Sequence, residues 1–268
     1  MTPVSRTTSS RSLQNAGRRI SIALVLLSAG FATACGVALP PQNATPTERF
    51  EWSRDRFERK KYNDAIRGFR DLLFREPLHP TADSARYLLA ESYLQTHQNL
   101  LAANEFRMLA QSRPNSPVAD DAQLGMCRSY WELSPSIPRD QEYTEQTIEA
   151  CNRLLEYFPR SDLDDEARDL IEKARVKLAD KRARVGTWYY ERKFYESAII
   201  YFESTVQDYP DAPVIPEVLA KLYDSYSQVG FLTEARGVRK TLLERFPDSP
   251  EARTLGPETD ADGGSTSE

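Results

Sequence analysis

Five prolines set the rhythm of this chain. They stand in the matched runs "REPLHP", "SRPNSP", "YFPRSD", "DYPDAP" and "RFPDSP", with the first proline of each at positions 77, 114, 159, 210 and 247. The spacings are 37, 45, 51 and 37 residues. Recurrence of one context at such a period means a single supersecondary unit stacked on copies of itself, because no unit of that size buries its apolar face alone. Other registers run with the prolines. Twelve residues before them stand Ala65, Ala102, Thr147, Ala198 and Ala235, and eight before them Phe69, Phe106, Cys151, Phe202 and Arg239. Sixteen after them come Tyr93, Tyr130 and Tyr226, each preceded by a serine (Ser92, Ser129, Ser225), and eight after them Ala85, Ala122 and Ala167. Residues four apart share one side of a helix, so each repeat reads as an antiparallel helix pair. Small residues mark the crossings and aromatic rings fill the holes between helices.

The expected fold is therefore all-α, with ten helices between about Pro46 and Pro250. Thr45 before Pro46 predicts a capped start with proline at the first helical position. The two long spacings have different causes. Repeat 3 has eight extra residues, and the two prolines of "LSPSIPRDQEY" place them in the turn between its helices. Repeat 4 has fourteen extra, yet "DLDDEARDLIEKARVKLADKRARV" contains neither proline nor glycine. Fourteen residues make nearly four whole turns, so a lengthened helix keeps its faces almost in phase. One long helix is expected near residues 162 to 192, protruding from the stack or bridging two parts of it.

The segment "ARYLLAESYLQTHQNLLAANEFRMLAQSRP" resembles a tetratricopeptide repeat, with Leu89, Ala90, Tyr93, Ala102, Phe106 and Pro114 in that family's core positions. "RVGTWYYERKFYESAIIYFESTVQDYP" repeats the match through Val185, Gly186, Tyr189, Tyr195, Ala198, Phe202 and Pro210. The resemblance implies a solenoid of about five helical hairpins over residues 46–250. Its first repeat departs from the pattern at Ser53 and Arg56, as terminal repeats that cap a stack often do.

Ahead of the repeats lies a different kind of sequence. Residues 1–34 carry four arginines, Arg6, Arg11, Arg18 and Arg19, and no acidic residue. The pair at 18–19 abuts the 15-residue run "ISIALVLLSAGFATA". A basic stretch before a short apolar run ending in small residues is the layout of a secretory signal peptide, and the run falls short of the roughly 20 apolar residues of a membrane span. "FATAC" resembles the lipobox of bacterial lipoproteins, with Ala32 where leucine is usual. That resemblance implies cleavage after residue 34 and a lipid on Cys35; ordinary cleavage leaving a free thiol is the alternative. More than one acyl chain would hold the protein stably, since a single chain anchors only marginally. Residues 35–45, "CGVALPPQNAT", read as a tether spanning at most about 35 Å. Residues 251–268, ending "PETDADGGSTSE", read as a disordered acidic tail.

Composition closes off several classes. Without residues 1–34 the chain holds 31 basic and 40 acidic groups, near −9, and the pI of 5.4 for the whole chain excludes a nucleic-acid partner. Two histidines, His79 and His97, and three cysteines are too few for a metal centre or a disulfide scaffold, and both histidines fall in or near turns. Cys127 and Cys151 read as two buried residues of repeat 3, with a disulfide between them the alternative. No nucleophile elbow, phosphate loop, zinc-protease or redox dicysteine motif is present, so neither catalysis nor a cofactor is expected. Function then falls to the concave face, which first helices of tetratricopeptide hairpins line. By the proline register the inward positions of repeats 1 to 3 are Phe50, Arg54, Phe57, Tyr87, Glu91, Leu94, Leu124, Arg128 and Trp131. In repeat 5 they are Glu217, Ala220, Asp224 and Ser227. An apolar groove edged by arginines suits an extended peptide with aromatic side chains and a carboxylate, unless several of these aromatics pack between helices instead.

The repeat type, the number of repeats, the "YPDAP" and "FPDSP" punctuation and the lipobox-like start together resemble the BamD family of outer-membrane lipoproteins. The resemblance covers about residues 46–250. It implies a periplasmic scaffold on the inner leaflet of the outer membrane that binds the barrel-forming subunit BamA, other lipoproteins of the β-barrel assembly machinery and unfolded outer-membrane protein peptides. Gly36, after the cysteine, is similar to the outer-membrane sorting pattern. A periplasmic repeat adaptor for cell division (Tol-associated), for pilus assembly or for peptidoglycan enzymes stays open.

Overall fold

The structure, a computed structural model, describes residues 39–256; residues 1–34, Cys35 and the tail from residue 257 lie outside the described residues. Within that range the chain forms helices and no strand. They are α1 (Pro46–Glu58), α2 (Tyr62–Arg75), α3 (Ala82–Gln95), α4 (Asn99–Ser112), α5 (Ala119–Leu133), α6 (Glu142–Tyr157), α7 (Asp164–Glu191), α8 (Tyr195–Asp208), α9 (Ile215–Gln228), α10 (Leu232–Arg245) and the short α11 (Pro250–Leu255). Each helix from α1 to α10 packs against the next, and the first helices of successive hairpins, α1, α3, α5, α7 and α9, also touch one another. Five stacked hairpins with a continuous face of first helices make the tetratricopeptide solenoid expected from the period.

The repeated positions explain the stacking. Ala65, Ala102, Thr147 and Ala198 are fully buried, as are Phe69, Phe106, Cys151 and Phe202 one turn later. Each such phenylalanine contributes about 1.5–3 kcal/mol through removal from water. The small positions let the helices come close enough for the rings to fit. A Cβ on Gly125 of α5 would stand 2.5 Å from Phe106 Cζ, and one on Gly186 of α7 would stand 2.6 Å from Phe202 Cε1. Ser92, Ser129 and Ser225 are buried, and each donates its hydroxyl at 2.7 Å to the carbonyl four residues earlier. The serine before each tyrosine thus satisfies itself within its own helix, which suits a crossing point where no other polar partner is in reach.

Both insertions fall where the spacing put them. The extra residues of repeat 3 form the turn 134–141, and those of repeat 4 make α7 one uninterrupted helix of 28 residues, about 42 Å long. That helix bridges. Ala167 and Leu170 belong to a core running from Phe50 through repeats 1 to 3, whereas Ala179 and Ala183 belong to the cores of repeats 4 and 5.

The ends of the folded part differ from the expected boundaries. Thr45 caps α1 through a reciprocal pair with Glu48: the Glu48 N–H donates to Thr45 Oγ1 at 3.3 Å and the Thr45 N–H to Glu48 Oε2 at 2.8 Å. Upstream, Arg49 donates to the Gln42 carbonyl at 2.7 Å and to the Ala44 carbonyl at 3.1 Å, so the end of the segment read as tether is held on α1. At the other end α11 packs Ala252 into the last core, and Arg239 donates to the carbonyls of Leu255 and Gly256, both at 3.1 Å. Pro250–Leu255 at the start of the expected tail is thus helical, capped by Ser249 and held by the buried Ala252.

Candidate functional site

The nine inward positions of repeats 1 to 3 do not share one environment. Phe50, 7% exposed, and Leu124, 1% exposed, are core residues and present no side chain to the concave face. A register built on proline spacing fixes a helix face only to about one residue, and one residue turns a side chain by about 100°. Phe57 is half-buried with its ring edge-on to Tyr62 at 5.6 Å. Arg54 is exposed and pairs along its own helix with Glu51 and, at 3.5 Å, with Glu58. Tyr87, Glu91 and Leu94 of α3 and Arg128 and Trp131 of α5 are each half-buried, and Arg128 acts electrostatically on both Tyr87 and Glu91.

Charge around Arg128 is arranged by a residue the register did not select. Glu166, in the first turn of α7, takes both arms of Arg128: Nε donates to Oε1 and Nη2 to Oε2, each at 2.6 Å. Those bonds hold the Glu166 carboxyl below the usual glutamate range and raise Arg128. Its signal was present in the sequence. Glu166 stands seven residues after its proline, as Asp121 does, and two helical turns before the position occupied by Glu91 and Arg128. Residues seven apart lie on one helical face. Lys177 is a second addition, with its ammonium 5.2 Å from the Trp131 ring.

Two further carboxylates stand near Arg128. Burial raises Glu91 above the ordinary glutamate value, with Arg128 opposing, and its Oε1 is buried without a hydrogen-bond partner. Asp121 is raised by burial and then by Asp120. Burial also pushes up the Tyr87 hydroxyl, with Glu91 adding to it. The arginines Arg54 and Arg128 are both engaged by the chain's own glutamates, so an incoming carboxylate has to exchange with Glu166 at Arg128.

Toward the other end, Glu217 is exposed beside α7, Asp224 accepts the Tyr190 hydroxyl at 2.8 Å, Ser227 donates back to the Tyr223 carbonyl at 2.8 Å, and Ala220 packs on the last core. Burial and that bond push the Tyr190 hydroxyl up to about 12. Cys127 and Cys151 are buried and unbridged, and burial followed by the neighbouring Cys151 thiol raises Cys127. No helix among the described residues is long and apolar enough to cross a membrane.

The stacked hairpins define a tetratricopeptide-repeat protein. The comparisons make that class specific. The model of the family YfiO, described as an outer membrane lipoprotein, matches residues 42–242, and the chain belongs to this family. A relative from Caulobacter vibrioides, named outer membrane protein assembly factor BamD, is 28% identical over 85% of this chain and 76% of its own length. A Rickettsia prowazekii protein of the same name is 23% identical over 72% of this chain and 76% of its own. Among solved structures, a thermophilic tetratricopeptide protein of Thermus thermophilus is 17% identical over 79% of this chain and 96% of its own, with a TM-score of 0.37.

Proposed function

We propose that this chain is a lipid-anchored scaffold of the β-barrel assembly machinery on the periplasmic face of the outer membrane. It binds a BamA-type barrel subunit, further lipoproteins of the machinery and the C-terminal peptides of unfolded outer-membrane proteins, and promotes their folding and insertion. The observation that carries the reading is the family match over residues 42–242. The names of the two relatives support it. The half-buried side chains of the inward positions support the peptide role: Tyr87, Leu94 and Trp131 offer apolar and aromatic surface for alternate side chains of an extended segment. Arg128 takes the terminal carboxylate by exchange with Glu166.

The anchor at Cys35 sets the location. Six residues lie between Cys35 and Gln42, whose carbonyl Arg49 holds, so a lipid on Cys35 would keep Gln42 within about 25 Å of it.

Purification from detergent-extracted envelopes tests the reading. Recovery of a BamA-type barrel protein supports it, and recovery of Tol or pilus components without one defeats it. Cys35→Ala is expected to release the protein from the membrane fraction. Tyr87→Ala and Trp131→Ala are each expected to weaken binding of aromatic-ended barrel peptides about tenfold, measured by fluorescence anisotropy; unchanged affinity in folded variants removes the groove from the account.

A further inference from the structure

Two insertions break the repeat lattice, and the fold sets them side by side. Ile137 and Pro138, from the lengthened turn of repeat 3, face Val185 and Trp188 of the lengthened α7 across a cavity of about 380 Å³. The turn is fixed from within and from α7. Gln141, 3% exposed, donates to the carbonyls of Ser136 and Arg139, both at 3.1 Å, and accepts the Thr144 hydroxyl at 2.6 Å. Lys177 donates to the Ser134 hydroxyl at 2.7 Å and to its carbonyl at 3.2 Å. The slot is thus preformed, its walls locked by hydrogen bonds that no ligand supplies.

Its rim is cationic. Lys181 and Arg184 line the cavity with Trp188, and these three and Arg192 follow one another at intervals of three, four and four residues, which is one stripe of a helix. On the rest of α7, Arg168 pairs with Asp164, Lys173 with Asp169 and Arg182 with Asp208, while Arg175 donates to the Asp208 carbonyl at 2.8 Å and lies over the Tyr209 ring. Among the described residues no carboxylate lies within ion-pair distance of Lys181, Arg184 or Arg192. Arg192 instead lies 4.0 Å over the Trp188 ring, which is 48% exposed. The nearby carboxylates Asp180 and Glu191 line, with Glu217, an adjoining cavity that shares Arg184 and Trp188 with the slot, and Arg184 opposes the rise that burial imposes on Asp180.

We propose that this slot is a docking site for an extended acidic segment of a partner protein, one that carries a single aromatic or branched apolar side chain between carboxylates. The cavity holds one large apolar side chain against Ile137, Pro138 and Trp188, and the unpaired cations take the flanking carboxylates. Length agrees with charge: from Lys181 to Arg192 the helix rises about 16 Å, the span of about five residues of extended chain. An anionic bilayer is a poorer match, because the apolar groups lie between two walls rather than on a protruding surface. The site uses neither Tyr87 nor Trp131, so it stands or falls apart from the groove.

The test uses the intact chain and a labelled, terminally blocked decapeptide with one phenylalanine flanked on both sides by glutamates. Versions with lysines for the glutamates, or alanine for the phenylalanine, serve as controls, as do vesicles of anionic phospholipid. The acidic aromatic peptide is expected to bind about tenfold more tightly than either control, and more weakly as salt rises from about 50 to about 300 mM. Trp188→Ala and the double change Lys181→Glu, Arg184→Glu should each lose that binding while keeping the helical circular dichroism and melting temperature. Tyr87→Ala should bind like the native chain. Equal binding of the three peptides, or native affinity in the folded variants, overturns the proposal. So does retention on anionic vesicles, lost in the double variant, with no peptide bound.

Discussion

At Gly125 and Gly186 the absence of one atom decides how closely two helices approach. Three atoms of the Phe106 ring would lie 2.5–2.7 Å from a Cβ on Gly125, and the Phe202 ring closes in the same way on Gly186. A fully buried ring has nowhere to retreat, so Gly125→Ala and Gly186→Ala are each expected to cost about 1–3 kcal/mol in urea unfolding, even though alanine is the better helix former. A gain in stability would show that the rings can shift. Glu91 makes a second residue-level prediction. Burial raises its folded pKa above the unfolded value, so its contribution to stability is fully present below the ordinary glutamate range and is lost as pH rises through the folded pKa. Glu91→Gln keeps the shape and cannot ionise. Its unfolding free energy should therefore fall less than the native protein's between about pH 4 and about pH 7, with the variant the more stable of the two at neutrality.

Among the elements, α7 carries the largest load. It ends the core of repeats 1 to 3 at Leu170 and opens those of repeats 4 and 5 at Ala179 and Ala183. Its sequence explains why the span stays helical: no proline or glycine interrupts residues 162 to 185, Asp164, Asp165 and Glu166 complement the dipole at its start, and the i,i+4 pair Asp169–Lys173 braces its exposed side. Lys173→Pro removes a backbone bond in that stretch at an exposed position and is expected to cost about 3 kcal/mol. Lys173→Ala at the same site should cost less than about 0.5 kcal/mol, which separates the backbone effect from the ion pair.

For the whole molecule, the division of the core across α7 predicts uneven stability. Hairpins in a solenoid contact mainly their neighbours, so damage spreads by nearest-neighbour coupling. Phe106→Ala should cost about 3–5 kcal/mol locally. Hydrogen exchange is expected to show α3 to α6 losing more protection than α9 and α10; equal loss throughout would mean that α7 couples the cores fully.

Period and composition determined the helices by themselves. The prolines at 77, 114, 159, 210 and 247 cannot continue a helix, and the alanine, phenylalanine and serine–tyrosine registers between them repeat too closely to fit another fold. For the same reason the capped start at Thr45 and the unbroken α7 were legible: each rests on local chemistry. The groove was legible only in outline. Tyr87, Glu91, Leu94, Arg128 and Trp131 are half-buried, but Phe50 and Leu124 are core residues, since a residue's face depends on the rotation of a whole helix against its neighbours. Glu166 lies 38 residues from Arg128 in the chain and reaches it only because α7 stacks on α5. The slot between Pro138 and Trp188 is of the same kind. Local periodicity sets which residues are helical; only the stacking angle decides which side chains meet across repeats, and so where the charges of α3 and α7 stand.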